Sequence, residues 1–476
     1  MATVESPAQR SRHPAGLYVL FFTEMWERFG FYCMESVFVY YMTVSRYDFL
    51  RKNSSEIYGV YLAGVYFAPF FGGLLSEWRL GYSLSILLGG LFMAGGYGLL
   101  SLEPAVCFAV GLGLIVIGNG LFKPNISSLV GKLYPPGDKR IDSAFTIFYM
   151  GINVGALMAP ITAGIVGTLM AQHFPSDAGP DIERRGYLLV FTIAAVGMII
   201  GGLIYLVFRR FVRPVQSQGA SAAASDNDVP DDLRRRRMIA LLVFFGINIL
   251  FWMAFKQRAN SMALWTKDRM DLAAPAWIVE ILGKLRIDWL MLNQQGQFGK
   301  EFFLALNPFL VIVLTPVLVW LWSALRSIRL EVPTPAKLVL GFALTASAFA
   351  IMWRADATTP SGSLVSLWVL VAFYVALTAG ELCLSPMGLS LVSKLAPARS
   401  RAVWMGLFFI STSIGGYLAG RIFQAYKNRL PEGATIPYTD FFFYVFLALV
   451  GGMALMLAAY PIIASALRPA PNPQRR

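Results

Sequence analysis

The sequence predicts an all-α integral membrane protein. Of its 476 residues, 57% are hydrophobic and only 14% are charged, whereas soluble proteins are about half apolar and about one quarter charged. Apolar runs of about twenty residues, long enough to cross a bilayer as helices, recur along the chain. The short alternating segments that are typical of an outer-membrane barrel do not occur. These observations favour a polytopic helical bundle.

Hydropathy and length predict about twelve membrane spans. They lie at residues 16–43, 54–77, 82–101, 104–132, 141–170, 186–210, 236–265, 297–326, 336–354, 363–395, 399–426 and 437–467. Residues 211–235, rich in Ser, Ala and Asp, indicate a flexible linker. Two further spans would need roughly forty residues, so this linker holds no additional helix pair. We therefore expect two six-helix bundles, at residues 1–210 and 236–470, joined by the linker 211–235.

The distribution of positive charge predicts how the chain is oriented. The net charge of +13 lies largely in short connections between spans, including the run Arg234–Arg237, and this does not favour nucleic-acid binding. By the positive-inside rule, the linker side is cytoplasmic. We expect a multi-pass protein of the cytoplasmic membrane with both termini inside. On the outer side, residues 266–296 form a longer loop in which Trp277 and Trp289 favour an amphipathic surface helix.

Few residues within the spans suit a metal, a cofactor or catalysis. Cys33, Cys107 and Cys383 lie within spans, where they are interpreted as small apolar residues. The two histidines, His13 and His173, lie outside the spans. There is no nucleotide-binding loop and no pair of a nucleophile and a base. The sequence therefore predicts a protein that is not an enzyme, with no catalytic site, no metal site and no cofactor.

The first span contains four charges that a lipid environment opposes. In FFTEMWERFGFYCMES, Glu24 and Arg28 are one helical turn apart, Glu27 precedes Arg28, and Glu35 returns to the face of Glu24. Charges at this depth are costly unless they are paired or hydrated. The charged stripe must therefore face another helix or a polar cavity. A Glu–Arg pair that only fixes helix packing would explain two of the four charges.

The arrangement of spans is typical of a transporter. Six spans on each side of a cytoplasmic linker favour two pseudo-symmetric bundles that bind a substrate between them. The segment GGLLSEWRLGYSLS resembles the cytoplasmic loop motif of the major facilitator superfamily. The matching residues are Gly73, Glu77, Arg79 and Gly81, with Glu77 where Asp is usual.

Four motifs resemble the POT family of proton-coupled oligopeptide transporters. Residues 24–32 are similar to its ExxERFxYY signature, with Phe31 where a tyrosine is usual. The segments NGLFKPNISSLVG (119–131), FTIFYMGINVGAL (145–157) and GELCLSPMGLSLVSKLAP (380–397) resemble its fourth-, fifth- and tenth-helix signatures. The motifs occur in family order over nearly the whole chain. The resemblance implies the major facilitator fold and proton-driven import of di- and tripeptides by alternating access.

The resemblance also implies which residues hold the two charged ends of a peptide. Arg28 and Lys123 would bind the carboxylate, Arg28 as a fork and Lys123 as a point charge. Glu381 would bind the amino terminus with the help of Asn153 and Asn307. As alternatives, Lys123 would snorkel to the membrane surface, and the buried polar residues would serve only helix packing.

Proton coupling and side-chain recognition are implied in the same way. Glu24 and Glu27, beside Arg28, would carry the proton, and its arrival would free Arg28 or Lys123 to bind the peptide. Side-chain pockets would be lined by Tyr32, Tyr66, Tyr149, Trp252, Ser385 and Phe408. At position 408 the family often has a tryptophan, so either the pocket is larger here or Trp404 substitutes.

Two charges depart from the family pattern. The seventh span has Trp252 followed by Lys256 and Gln257, where the family usually has Glu-Gln, and Glu35 stands where the family usually has Arg. Because both signs are reversed, the Coulomb attraction is kept. We therefore expect a periplasmic gate salt bridge between Glu35 and Lys256. The alternative is that both residues are solvated near the outer surface.

Two other transport functions stay open. One is a proton-coupled transporter of the same fold for another small solute, such as nitrate or a peptide-like drug, and the other is a drug antiporter. The joint presence of the ExxER motif, Lys123 and Glu381 favours peptides, and a drug antiporter would not explain the other three motifs. We expect a monomer whose partners are the peptide, protons and the lipid bilayer.

Overall fold

A computed structural model describes residues 13–135, 138, 140–174, 179–212, 231–330, 332–360, 362–397, 401–431 and 434–467. Most of the predicted linker, residues 213–230, lies outside the described residues, as do the two chain ends. The prediction of cytoplasmic termini therefore falls outside them as well.

Twelve long α-helices follow the predicted spans within the described residues. They are α1 (Ala15–Thr43), α2 (Ser54–Leu75), α3 (Tyr82–Leu100), α4 (Ala105–Lys132), α5 (Ile141–His173), α6 (Pro180–Phe208), α7 (Asp231–Phe255), α8 (Leu306–Ser327), α9 (Thr334–Thr358), α10 (Leu367–Leu395), α11 (Arg401–Lys427) and α12 (Tyr438–Ala466). Eleven helical segments, built on α2 to α12, are long and apolar enough to cross a membrane. The remaining helix, α1, has 29 residues and carries the four charges. The chain is thus a multi-pass, all-α membrane protein.

The helix that was predicted within residues 266–296 is present at Ala276–Lys284. The ring of Trp277 is exposed and stacks on Trp368, with 6.4 Å between ring centroids. A second short helix, Asp288–Met291, carries the exposed Trp289. The described residues form no strand, and the loop contains only isolated bridges.

The seventh span is not the single helix that the sequence predicts. After α7 the backbone forms a 3-10 turn over Lys256–Ala259, and helix resumes over Ser261–Arg269. Asn260 between them has φ −124° and ψ −96°, outside the helical region. The side-chain amides of Gln257 and Asn260 both donate to the carbonyl of Ala419 on α11. These bonds to a neighbouring helix stabilise a break that the local pattern does not reveal.

The contacts of the chain group its residues into two compact units. Unit 1 comprises Met1–Met34, Ala68–Thr162 and Tyr187–Ala220, and unit 2 comprises Glu35–Phe67, Ala163–Gly186 and Ser221–Arg476. The boundary crosses α1, α2, α5 and α6. It therefore gives no test of the bundles 1–210 and 236–470, which stay a prediction.

Glycines allow close helix contacts inside each unit. In unit 1, a Cβ on Gly89 would lie 2.6 Å from the carbonyl oxygen of Gly118, and a Cβ on Gly118 would lie equally close to that of Gly89. In unit 2, a Cβ on Gly420 of α11 would lie 2.2 Å from the carbonyl oxygen of Ser55 on α2. Small residues commonly bring membrane helices this close, because van der Waals packing replaces the hydrophobic effect in lipid.

Candidate proton and substrate site

Unit 1 contains a buried cluster of Glu24, Glu27 and Arg28 on α1. The Nη2 atom of Arg28 donates to Oε1 of Glu27 at 2.6 Å, and its Nε atom donates to the other Glu27 oxygen. The same Nε lies 3.3 Å from Oε1 of Glu24. One guanidinium therefore holds two carboxylates. The helix spacing predicts the contact with Glu24, four residues away, but not the contact with the adjacent Glu27.

The two glutamates of this cluster differ in how fully they are bound. Both oxygens of Glu27 accept hydrogen bonds from Arg28. In contrast, Oε2 of Glu24 is buried and accepts no hydrogen bond from any described residue. The ammonium of Lys123 lies close enough to Glu24 to interact with it electrostatically. The cluster thus brings together all four residues that were assigned to the proton and the peptide carboxylate.

A close approach of α5 positions α1 at the level of Arg28. A Cβ on Gly155 would lie 2.2 Å from the carbonyl oxygen of Met25 and 3.1 Å from Cβ of Arg28. Only glycine fits there without a shift of one helix. Gly155 belongs to the fifth-helix motif, so the motif provides the space that α1 occupies.

The other predicted residues of unit 1 lie around this cluster or on α5. Phe31, which replaces the usual tyrosine, is buried, and its ring centroid is 5.1 Å from Cζ of Arg28. Tyr32 is half-buried and interacts electrostatically with Arg28. Asn153 donates to the carbonyl of Tyr149 on its own helix at 3.0 Å, and the ring of Tyr149 is exposed.

Unit 2 contains the residues assigned to the peptide amino terminus. Asn307, at the start of α8, donates to Oε2 of Glu381 on α10 at 2.8 Å and to Oγ1 of Thr378 at 3.0 Å. The amide thereby fixes the carboxylate of Glu381 while leaving oxygen lone pairs for a further donor. Ser385 lies one turn after Glu381 on α10 and is half-buried.

Glu35 forms a salt bridge with a different basic residue from the predicted one. In unit 2, Oε2 of Glu35 lies 3.1 Å from Nη2 of Arg258, and both residues are buried. The predicted pairing of Glu35 with Lys256 is therefore wrong in this structure. The physical reason is the 3-10 turn at Lys256–Ala259, which places Arg258 against α1 while Lys256 is engaged elsewhere.

Lys256 lies beside two of the five aromatic residues that were assigned to side-chain pockets. Its Nζ atom donates to the hydroxyl of Tyr66 at 2.7 Å and lies 4.7 Å from the centroid of that ring. The centroid of the Trp252 ring is 5.9 Å away. Tyr66 and Trp252 are both half-buried, whereas Lys256 is 3% exposed.

Phe408 lies in an aromatic cluster. Its ring stacks on Phe244 with a centroid distance of 6.3 Å and lies 6.1 Å from the ring of Phe245. Trp404 contacts Phe245 from one turn earlier on α11. Phe408 is buried, so lining of a side-chain pocket by this residue stays a prediction.

Further polar contacts in unit 2 join segments from the first half of the sequence to segments from the second. Tyr40 on α1 donates to the carbonyl of Ala263 at 2.9 Å, and Tyr58 on α2 donates to that of Lys256 at 3.3 Å. Glu183, at the start of α6, lies 3.1 Å from Nζ of Lys300. The two tyrosine contacts and the Glu35–Arg258 pair hold the end of α1 and the start of α2 against the region that follows α7, and the Glu183–Lys300 pair joins α6 to the segment before α8.

The sequence profile of the POT family matches residues 83–230 and 291–435, more than half of the chain.

The chain belongs to the POT family.

Similar proteins agree with this assignment. A dipeptide and tripeptide permease B of Yersinia enterocolitica is 30% identical over 92% of this chain and 92% of its own length. A di-/tripeptide transporter of Lactococcus lactis is 29% identical over 94% of this chain and 96% of its own length. The crystal structure of a peptide transporter POT in complex with sulfate superposes with a TM-score of 0.77 at 27% identity, covering 96% of each chain. The predicted fold class is thereby confirmed, and POT proteins are transporters, not enzymes.

Arg258 is the residue of this POT chain that sequence reasoning missed. It lies within the predicted seventh span, two residues after Lys256, and a second buried cation there was a usable signal. The family pattern directed attention to the position of Lys256. Counting charges would have shown two bases in the seventh span, Lys256 and Arg258, either of which could pair with Glu35.

Proposed function

We propose that this protein is a proton-driven symporter that imports di- and tripeptides by alternating access. The observation that carries this proposal is the buried Glu24–Glu27–Arg28 cluster in a chain of the POT family. Charges buried in a membrane helix are costly and mark transport pathways. The printed names of the relatives, dipeptide and tripeptide permease and di-/tripeptide transporter, support the substrate class.

The proton is carried in this proposal by Glu24 more readily than by Glu27. Glu27 accepts from Arg28 with both oxygens, and protonation would break a bidentate pair. Glu24 retains a buried oxygen to which no described residue donates. A proton on Glu24 would remove one of the two negative charges around Arg28. Arg28 and Lys123 would then have an excess of positive charge for the peptide carboxylate.

The peptide amino terminus binds to Glu381 in this proposal. Asn307 orients the Glu381 carboxylate, and an ammonium can approach the lone pairs that remain. Asn153 would contribute as a neutral donor or acceptor. Tyr32, Tyr66, Tyr149, Trp252, Ser385 and Phe408 are proposed to line side-chain pockets.

The gate in this proposal pairs Glu35 with Arg258. Both residues are buried, and Oε1 of Glu35 accepts no hydrogen bond from any described residue. Closure on the outer side would be stabilised by this pair, and the titratable acid would lie on α1.

The cellular setting follows from the same reasoning. We propose that the protein works as a monomer in the cytoplasmic membrane, with both termini in the cytoplasm. The proton gradient is its energy source, it needs no cofactor, and its partners are the peptide, protons and lipid.

Uptake of labelled dialanine into proteoliposomes tests the function. We expect accumulation with an inward proton gradient and only equilibration without one. Glu24→Gln should abolish accumulation but retain counterflow exchange, because the neutral side chain imitates the protonated state. Glu280→Gln, on the exposed helix Ala276–Lys284, is the matched control and should accumulate dialanine normally. Accumulation by the Glu24→Gln variant would refute the proton role, and gradient-independent uptake by the wild type would refute the symporter.

A further inference from the structure

Lys256 is a buried cation that forms no ion pair with any described carboxylate. Among the described residues, the hydroxyl of Tyr66 is the side-chain hydrogen-bond partner of its ammonium, at 2.7 Å. No carboxylate oxygen of the described residues lies within 4 Å of Nζ. Glu35, the nearest candidate on sequence grounds, is engaged by Arg258. A buried charge without a close ion-pair partner is expensive, so this ammonium has a reason to bind an anion.

A second donor belongs to a neighbouring ring, that of Trp252, whose centroid lies 5.9 Å from the ammonium. The indole Nε1 of Trp252 is buried and has no hydrogen-bond partner among the described residues. A buried N–H group without an acceptor costs free energy. The rings of Trp252 and Tyr66 are themselves only half-buried, so they form the partly open side of this site. A carboxylate can accept a hydrogen bond from each of these two donors, neither of which has an anionic acceptor among the described residues.

The neighbouring charges indicate which carboxylate fits. The ammonium of Lys256 and the guanidinium of Arg258 both interact electrostatically with Glu381. Glu381 is the residue to which the proposed function assigns the peptide amino terminus. A peptide ammonium bound at Glu381 would neutralise that carboxylate, and a side-chain carboxylate of the same peptide would then offset the positive charge of Lys256. Lys256 also has a flexible four-carbon stem, which allows Nζ to follow such a group.

We propose that Lys256 binds the side-chain carboxylate of acidic di- and tripeptides, with Trp252 as a second donor. The transporter then prefers peptides that contain Asp or Glu over their amide isosteres. This inference rests on the proposed function, because it requires a peptide to bind at Glu381. The sites that bind the carboxylate and the amino terminus of a peptide do not select acidic peptides, so Lys256 would add this preference.

Binding in detergent is the suitable measurement, because a membrane potential would itself affect the uptake of a peptide with an extra negative charge. The probes are Ala-Glu against Ala-Gln and Glu-Ala against Gln-Ala, with dissociation constants from thermal shift titrations. One charge-assisted hydrogen bond in a buried site corresponds to about tenfold in affinity. We therefore expect the acidic peptide to bind about tenfold more tightly in at least one pair.

Two variants separate the ammonium from general effects of removing a lysine. Lys256→Gln should reduce the ratio of the affinities for an acidic peptide and for its amide isostere to about one, because the charge-assisted hydrogen bond is lost. Lys300→Gln removes another lysine of unit 2, which is paired with Glu183, and should retain the wild-type ratio. A wild type without preference in either pair would overturn the proposal, as would a folded Lys256→Gln variant that keeps the preference. The wild-type binding measurements can overturn the proposal without any variant, so the proposal stays testable even if Lys256→Gln does not fold.

Dialanine distinguishes failure of this inference from failure of the proposed function. If dialanine binds and accumulates with a proton gradient but acidic peptides have no advantage, only the role of Lys256 is wrong. If dialanine is not accumulated under any gradient, the symporter itself is wrong.

Discussion

Removing one partner of the Glu35–Arg258 pair should open the outer side of the protein. The two side chains are 1% and 4% exposed, and the nitrogen and oxygen are 3.1 Å apart. Coulomb's law at an effective dielectric constant of about 20 gives an attraction of about 5 kcal/mol. The loss on removing one buried partner is about 3–5 kcal/mol, because an uncompensated charge is left behind. Taking about 3 kcal/mol, the closed form would lose about 10²-fold in population relative to the open form.

Cysteine labelling can measure this shift. Ala259, directly after Arg258, is buried, and a cysteine at this position should react with a membrane-impermeant maleimide only when the outer side opens. The background would carry alanine at the three native cysteines. We expect Glu35→Gln to raise the labelling rate about 10²-fold, in line with the free energy above. The double variant Glu35→Gln, Arg258→Gln should label more slowly than either single variant, because neither charge is then left unpaired.

The exposed pair Glu56–Arg421 provides the matched control. Like the Glu35–Arg258 pair it lies within unit 2, where it joins α2 to α11, but its side chains are 32% and 53% exposed. Exposed ion pairs contribute about 0.2–1 kcal/mol, so Glu56→Gln should raise labelling by about fivefold at most. If Glu35→Gln labels no faster than Glu56→Gln, the burial argument is refuted. Labelling of the double variant that equals the product of the single effects would refute the pairing.

Two further predictions concern unit 1. Gly155→Ala should lower the melting temperature and weaken dialanine binding, because its Cβ would lie 2.2 Å from the carbonyl oxygen of Met25 and overpacking costs about 1–3 kcal/mol. Gly202→Ala is the control, since a Cβ at that position would have no neighbour within 4 Å. Equal melting temperatures of the two variants would contradict the expectation. In the loop between α4 and α5, hydrogen bonds from Arg140 lower the pKa of Asp138 to about 2. The stabilisation from that contact is present above the ordinary pKa of 3.8 and is lost only as the pH falls through about 2. Asp138→Asn should therefore leave the pH profile of dialanine uptake unchanged between about pH 5 and 8, and a displaced profile would show that this loop takes part in coupling.

The membrane helices could be predicted because lipid restricts the backbone so strongly. A polar backbone group in hydrocarbon must be satisfied within its own helix, so apolar runs of sufficient length locate α2 to α12. Two ends differ more, because α7 ends at Phe255 and α8 begins at Leu306, well inside their predicted spans. The charges of α1 indicated the cluster of Glu24, Glu27 and Arg28 because residues three and four apart share a helix face. The contact between Arg28 and Glu24 follows from that spacing, whereas the contact between Arg28 and the adjacent Glu27 does not.

The basic partner of Glu35 could not be predicted by the same reasoning. A uniform helix through residues 236–265 gives no reason to prefer Arg258 over Lys256, and the family pattern favoured Lys256. The choice depends on the 3-10 turn at Lys256–Ala259. That turn depends in part on the amides of Gln257 and Asn260, which bind a carbonyl about 160 residues away. A contact so distant in sequence leaves no periodic signal.

The two charged groups of α1 differ in how their carboxylates are held, and this difference suggests where the proton acts. In the cluster of Glu24, Glu27 and Arg28, one guanidinium faces two carboxylates, and Oε2 of Glu24 accepts no hydrogen bond from any described residue. If Glu24 is neutralised, Arg28 therefore still has the bidentate pair with Glu27, and the positive charge that is released can be neutralised by a peptide carboxylate. Glu35 is instead the carboxylate that lies 3.1 Å from Arg258, and removing one partner of a buried ion pair is costly. We therefore expect the proton that drives transport to act at the Glu24 cluster, while the Glu35–Arg258 pair stays intact until the outer side opens.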